Sequence, residues 1–402
     1  MPIVYENGPS MTIKMRQFFF NTCPDIRFGS GIVREVASDL VRLLGKNILL
    51  VSDQGLTALG LYQPLLELLR VEGANIVIFD SVKADPDVAT VLECVQFSSK
   101  NKITGVIGFG GGSSLDVAKT VSLLLGSREE LDDIWGVGNA KGPRTPICLI
   151  PTTAGTGSEV TPVAIITTGK EEKKGIVSSL IIPDIAVLDP DLTKDLPQHI
   201  AAATGIDAMV HAIEAYTSEN SNNNHLSKLL AKEALMLLGH AIKPAVLNGS
   251  DLGARGEMLL GAMLAGMAFA NSPVGAVHAL AYPIGGTFHI PHGLSNALVL
   301  PEVLKFNSKA AKTAKDYKVL NNIVFSAESS FNEKCDSVEG FSKNMKKLAL
   351  ELGLPVRLRD VGIPRDACPK LAADAMRQIR LLVNNPTPVT EFDALRIYMA
   401  VW

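Results

Sequence analysis

Short apolar runs alternate with amphipathic stretches through the first half of the chain, and that rhythm predicts its elements. "NILLVSD" (47–53) is continuously apolar and holds β-branched residues, the pattern of a strand buried on both faces. "YQPLLELLRVEG" then sets leucines at helical spacing and closes on glycine. "ANIVIFD" reads as a second strand, "DPDVATVLECVQFSSKN" as a helix opened by Asp and Pro, and "ITGVIGFGGG" as a third strand running into glycines. "PICLIPTT", "PVAIITT" and "DIAVLDP" read as further strands, and "QFFFNT" (17–22) as an edge strand. Strand–helix–strand alternation predicts parallel pairing with right-handed crossovers, the doubly wound α/β class.

Near Pro190 the period changes. "LPQHIAAATGIDAMVHAIEAYTS", "HLSKLLAKEALMLLGHAIKPAV" and "ARGEMLLGAMLAGMAFANS" are rich in Ala, Leu and Met without β-branched runs, so the second half is expected to be all helix. "SENSNNNH" (218–225) reads as an exposed loop between helices. Two domains are expected, an α/β domain over 1–195 and an all-α domain over 196–402. A cleft between such halves is where small ligands bind.

Composition narrows the function classes. At 402 residues the chain can bury two sizeable cores. The net charge of -3 offers no global positive field to nucleic acid or anionic lipid. Charge breaks the longest apolar runs before the roughly 20 residues a membrane span needs, and the first residues lack the basic-then-apolar order of a signal peptide. The five cysteines (Cys23, Cys94, Cys148, Cys335, Cys368) are scattered and form no CxxC pair. That argues against a disulfide framework or zinc finger and for reduced thiols in a cytoplasmic setting.

Two glycine-rich turns carry candidate chemistry. "GFGGGSSLDVAK" (108–119) follows an apolar strand and opens a helix, so its backbone can approach a phosphate at the helix start. It departs from GxGxxG, because Ser113 takes the third position; the plainer reading is a tight turn with Ser as helix cap. "PTTAGTGSE" (151–159) is a second such loop, rich in hydroxyls. Two such loops favour a dinucleotide. Asp53 ends the first strong strand, where it either accepts from ribose hydroxyls and disfavours NADP, or caps the next helix.

Asp207 and His211 stand four residues apart in "TGIDAMVHAIEAY", on one face of a predicted helix. "GAVHALAYPIGGTFHIPHGLSNAL" (275–298) holds three of the seven histidines: His278, in a glycine-punctuated helix, then His289 and His292 in the loop after it. An Asp with three His suits Fe(II) or Zn(II). Each histidine alone is more often a core or surface residue.

These stretches, with "FGSG" (28–31) and "DP.L", are similar to the iron-containing (group III) alcohol dehydrogenase family along nearly the whole chain. The resemblance implies a Rossmann-like dinucleotide-binding domain, a helical domain as in the dehydroquinate synthase-like plan, and a divalent metal in the cleft. It places the metal ligands on Asp207, His211, His278 and His292. The pyrophosphate loop falls on Gly110, Gly111, Gly112, Ser113 and Asp116, the second cofactor loop on Thr152, Thr153 and Thr156, and a cofactor-contacting lysine on Lys173. Asp53 matches the acidic position that favours NAD over NADP. The implied reaction is reversible oxidation of a small alcohol to an aldehyde or ketone by hydride transfer to nicotinamide, with iron favoured over zinc. A homodimer or larger homo-oligomer is expected, with "QFFFNT" as a contact strand.

Three positions depart from the family pattern. Tyr282 stands where many members have a second histidine, and a phenol cannot titrate as an imidazole does. Asp85 replaces Asn, and "NNPT" (384–387) lacks the usual Arg. His289 is the other candidate proton carrier, with a loop position as its plainer reading. Alternatives for the chain are a hydroxyacid–oxoacid transhydrogenase, a maleylacetate reductase, a lyase of the dehydroquinate synthase type, or a scaffold without turnover.

Overall fold

The computed structural model describes residues 17–169, 172–325 and 338–402. Nine strands occur among them: β1 (Asp25–Phe28), β2 (Asn47–Val51), β3 (Asn75–Phe79), β4 (Gly105–Gly110), β5 (Gly136–Val137), β6 (Ile147–Pro151), β7 (Val163–Thr168), β8 (Glu172–Val177) and β9 (Ile185–Leu188). Five helices are interleaved with them: α1 (Ala37–Leu44), α2 (Gln54–Leu59), α3 (Gln63–Val71), α4 (Val88–Ser99) and α5 (Gly112–Ser127). Ten follow the last strand: α6 (Gln198–Thr217), α7 (His225–Leu247), α8 (Leu252–Asn271), α9 (Ala276–Phe288), α10 (His292–Asn307), α11 (Ala311–Phe325), α12 (Val338–Glu351), α13 (Cys368–Ala375), α14 (Ile379–Leu382) and α15 (Glu391–Val401).

The main sheet has the order β1-β9-β6-β4-β2-β3, and every pairing in it is parallel. Separate apolar clusters cover its two faces, one built around Leu49, Val106 and Leu149, the other around Ile48, Ile107 and Ile150. Burial on both faces explains why these strands read as continuous apolar runs. The order reverses beside β4, so the carboxyl ends of β2, β4 and β6 open on one crevice, the usual ligand position in such sheets. The helices after β9 enclose a third cluster containing Ile206, Leu238, Leu259 and Leu300.

The doubly wound fold is thus present, with three differences from the sequence reading. "PVAIITT" does not join the parallel sheet: β7 pairs antiparallel with β8 in a small separate sheet with β5. "QFFFNT" forms no strand. Its backbone is bonded instead by amide side chains of the helical half: Asn222 bonds N and O of Phe19 at 2.8 and 2.9 Å, and Asn271 bonds N and O of Asn21 at 2.6 and 2.8 Å. The 218–224 segment is only partly exposed: Ser218, which donates to Pro273 O at 2.7 Å, and Asn224, which caps α7, are buried, while Glu219 and Ser221 are exposed. No single helix among the described residues is long and apolar enough to cross a membrane.

Candidate active site

The two glycine-rich turns face each other across the crevice. β4 ends at Gly110, and α5 starts from Gly111 as an extended cap with no side-chain cap bond. Ser113 is therefore not the helix cap, and the amides of the first turn stay open toward a ligand. Gly111 lies against Thr153, and a Cβ on Gly112 would come within 2.7 Å of Thr156 Cγ2. The lack of side chains leaves a cradle between the loops. Thr152 continues the sheet, its N–H donating to Gly110 O at 3.0 Å. Asp116 clamps the far side: its oxygens accept from Ser158 Oγ at 2.6 Å and Ile165 N at 2.9 Å.

A cleft open to solvent runs from this cradle into the helical half. Gly112, Ser113, Asp116, Thr156, Asp85 and Lys173 line it on the sheet side. Lys173 Nζ and Asp85 Oδ1 are 2.5 Å apart, which places the cleft lysine at 173 rather than 174. Asp85 holds a left-handed backbone, φ 52, an uncommon state that Asp tolerates better than most residues. Asp53 caps α2, its Oδ1 accepting from Leu56 N at 3.1 Å at the carboxyl end of β2. Asp53, Gly110, Gly111, Thr152, Thr153 and His289 are not among the residues lining the cleft. His289 is the left-handed C-cap of α9 and is exposed.

On the helical side the cleft ends at Asp207, His211, His278 and His292. One donor atom from each lies within 4.8 Å of the other three. α6 supplies Asp207 and His211, α9 supplies His278, and His292 opens α10 directly after Pro291, its cap, rather than sitting in a loop. His211 and His278 stack with centroids 4.8 Å apart, and His292 lies tilted against His278 at 5.3 Å. Burial, only partly offset by the Asp207 charge, pushes His211 down to about 4 and His292 down to about 3. Burial opposes the Asp207 charge, but the three histidines outweigh it and hold the carboxyl below its usual range. At neutral pH the two imidazoles keep free lone pairs beside an ionised carboxylate, the donor chemistry a divalent cation takes. Among the described residues, His211 Nδ1 and Asn296 Oδ1 are buried without a hydrogen-bond partner, which suits a site that takes a cation.

Two buried residues that the sequence reading overlooked complete the cluster. Glu214 follows Asp207 and His211 along one face of α6. Its carboxylate takes Nδ1 of His278 at 2.6 Å and the Val277 N–H at 2.7 Å. That bond fixes the ring and turns its other nitrogen to the cluster. Asn296, one turn beyond His292, donates from Nδ2 to Asp207 Oδ1 at 2.6 Å, with His278 Nε2 and His292 Nε2 each at 3.3 Å. The i, i+4, i+7 spacing signalled Glu214; nothing in the sequence marked Asn296. Glu214→Gln should weaken metal binding by about 10- to 100-fold without loss of helical signal. Competition with a chelator measures it, and an unchanged affinity would show that Glu214 does not orient the ligand.

Tyr282 lies beside the cluster, its ring centroid 5.7 Å from that of His292. Burial raises its pKa, against the opposing pull of nearby Arg380, so the phenol stays protonated.

A glycine cradle of the kind that takes phosphate and a four-donor cluster of the kind that takes a metal open on one cleft, the combination expected of a metal-dependent oxidoreductase that works with a dinucleotide. The profile of the iron-containing alcohol dehydrogenases matches residues 23–190, and that of the C-terminal part of the Fe-containing alcohol dehydrogenase family matches 201–402. The chain is 37% identical over 378 residues to long-chain-alcohol dehydrogenase 1 of Geobacillus thermodenitrificans, covering 93% of this chain and 94% of that one. It superimposes on a crystallised 1,3-propanediol oxidoreductase with a TM-score of 0.90 and 31% identity, over 96% of this chain and 100% of that one. It also resembles a sulfoacetaldehyde reductase from Bifidobacterium kashiwanohense solved with NAD+, with a TM-score of 0.83 and 26% identity, over 96% and 99%. The chain belongs to the iron-containing alcohol dehydrogenase family, as an NAD-linked alcohol oxidoreductase.

Proposed function

We propose that this enzyme interconverts a small alcohol and its aldehyde or ketone with NAD, using Asp207, His211, His278 and His292 as ligands for Fe(II), with Zn(II) as the alternative ion. The observation that carries the reading is the convergence of four donor atoms within 4.8 Å in the cleft that the glycine cradle also lines. Bound there, the metal supplies Lewis acidity toward the substrate oxygen and the nicotinamide supplies hydride chemistry. The chain's own residues do the rest. Asp207 balances the cation's charge, and Glu214 and Asn296 fix the ligand side chains. The amides at the start of α5, with Thr156 and Ser113, receive the diphosphate, and Lys173 and Asp85 stand farther along the cleft. Apolar walls at Val163, Ile165, Phe269 and Val274 keep water from the reacting carbon. Burial keeps the Tyr282 phenol protonated, so it does not replace an imidazole as a proton carrier.

An alcohol substrate is supported by the long-chain-alcohol and propanediol enzymes to which the chain is similar, and NAD by the NAD+-bound relative. Asp53 at the end of β2 favours NAD over NADP. We place the boundary between the cofactor-holding and metal-holding domains at residues 195/196. The exposed Phe18, Phe19 and Phe28 around edge strand β1 support a homo-oligomer, and the buried, unpaired Cys23, Cys94, Cys148 and Cys368 support a reducing cytoplasm. The test is an NAD-linked screen of primary alcohols and diols before and after chelation. We expect turnover that chelation abolishes and Fe(II) restores. Full turnover by the stripped protein, or none by the iron-loaded one, would overturn the reading.

A further inference from the structure

The charged groups lining the cleft each have a partner or a place in the donor cluster, with one exception. Asp85 pairs with Lys173, Asp116 lies 3.3 Å from Lys119, and Asp207 belongs to the cluster with the three histidines. Arg380, on α14, has no carboxylate within 4.0 Å among the described residues. Its neighbour Arg377 takes Asp374 instead. An unpaired guanidinium at the edge of a largely apolar cleft is a selector for a planar anion.

Its placement is defined by what surrounds it. The guanidinium lies over β8 at Gly175, where Nη2 is 3.5 Å from the position a Cβ would take. The missing side chain gives it a seat. It stands beside the Tyr282 hydroxyl, and the Tyr282 ring neighbours His292. Arg380, Tyr282 and His292 therefore form a row from the mouth of the cleft to the metal cluster. Arg380 and Tyr282 line the same cleft, so both can reach one anion held there. Ile165, Phe269 and Leu381 line the same cleft with apolar surface.

We propose that Arg380, assisted by Tyr282, binds the carboxylate of the substrate, so that the enzyme acts on a short ω-hydroxy acid and its oxo acid. This rests on the dehydrogenase reading and sharpens it. The hydroxyl end reacts at the cluster while the carboxylate is held at Arg380. Hydroxy acid and NAD+ give oxo acid, NADH and a proton, and the carboxylate is unchanged. The NAD diphosphate is the competing anion, but the cradle of Gly111, Gly112 and Thr156 already offers it a place.

The test compares ω-hydroxy acids, from glycolate upward, with primary alcohols of the same carbon number, using the iron-loaded full-length protein. We expect one chain length to exceed its alcohol in kcat/KM by tenfold or more, roughly the scale of one charge-assisted contact. Arg380→Ala should remove that preference, change the alcohol far less and leave the KM for NAD+ unaltered, and Arg380→Lys should restore part of it. Equal losses for acid and alcohol would overturn the proposal. So would a raised KM for NAD+ alone, which would make Arg380 a cofactor contact. Calorimetric titration of the NADH complex with the unhydroxylated carboxylate separates the two readings. Arg380-dependent binding without any turnover would leave the anion site standing and sink the dehydrogenase reading. Turnover of alcohols with no carboxylate binding would do the reverse.

Discussion

His278→Ala and His292→Ala should each strip iron from the purified protein and lower kcat/KM by about 1000-fold or more. A bound cation contributes several kcal/mol of charge stabilisation in reactions of this kind, and each 1.36 kcal/mol is a factor of ten. The two variants should differ in stability. His278 is the partner of Glu214, a carboxylate buried beside Val277 and closed off from water. Removing the ring leaves one carboxylate oxygen unpaired in the interior, at a cost of about 1–3 kcal/mol. His292 is partly exposed on the cleft and leaves no such orphan. Elemental analysis and thermal melts together measure the contrast: both variants metal-poor, with His278→Ala melting lower. Wild-type iron content in either would show that the cluster is not the metal site.

Much of this was legible in the chain. β2, β4, β6 and β9 could be read because burial on both faces forces continuous apolar runs, and edge strand β3, only partly buried, keeps one as well. The change to helix at residue 198 could be read because Ala, Leu and Met replace β-branched residues. Asp207 and His211 could be placed on one face because a helix fixes the i, i+4 relation. What was not legible depends on contacts between distant segments. "PVAIITT" has the composition of a buried strand, and only its neighbours decide whether it joins the parallel sheet or pairs with β8. "QFFFNT" has a strand-like apolar run, but Asn222 and Asn271, 203 and 250 residues further along, take its backbone bonds. Asn296 and Arg380 follow the same rule. An amide on a helix and an arginine near the C-terminus carry no local pattern. Only the fold brings Asn296 onto Asp207 and Arg380 into the cleft that the four donors close.

Gly293→Ala should unseat this arrangement without touching a ligand. Gly293 is the second residue of α10, directly after His292. A Cβ there would lie 2.3 Å from the Ala203 carbonyl oxygen and 3.2 Å from Asp207 Cβ. The first obstacle is backbone of α6 and cannot rotate away, so the start of α10 must move by about an ångström, a displacement well-packed interiors resist. His292 moves with it. Asn296, one turn along, loses its 2.6 Å bond to Asp207. We expect a stability loss of about 2–3 kcal/mol and metal binding weaker by about 10- to 100-fold. Gly256→Ala is the matched control. It too sits in a helix, but its Cβ would meet Pro190 Cγ at 3.4 Å, an ordinary contact. Helix propensity should make that change neutral or slightly stabilising. If Gly293→Ala melts with the control and binds iron as the wild type does, close seating of α10 on α6 is not what positions the metal ligands.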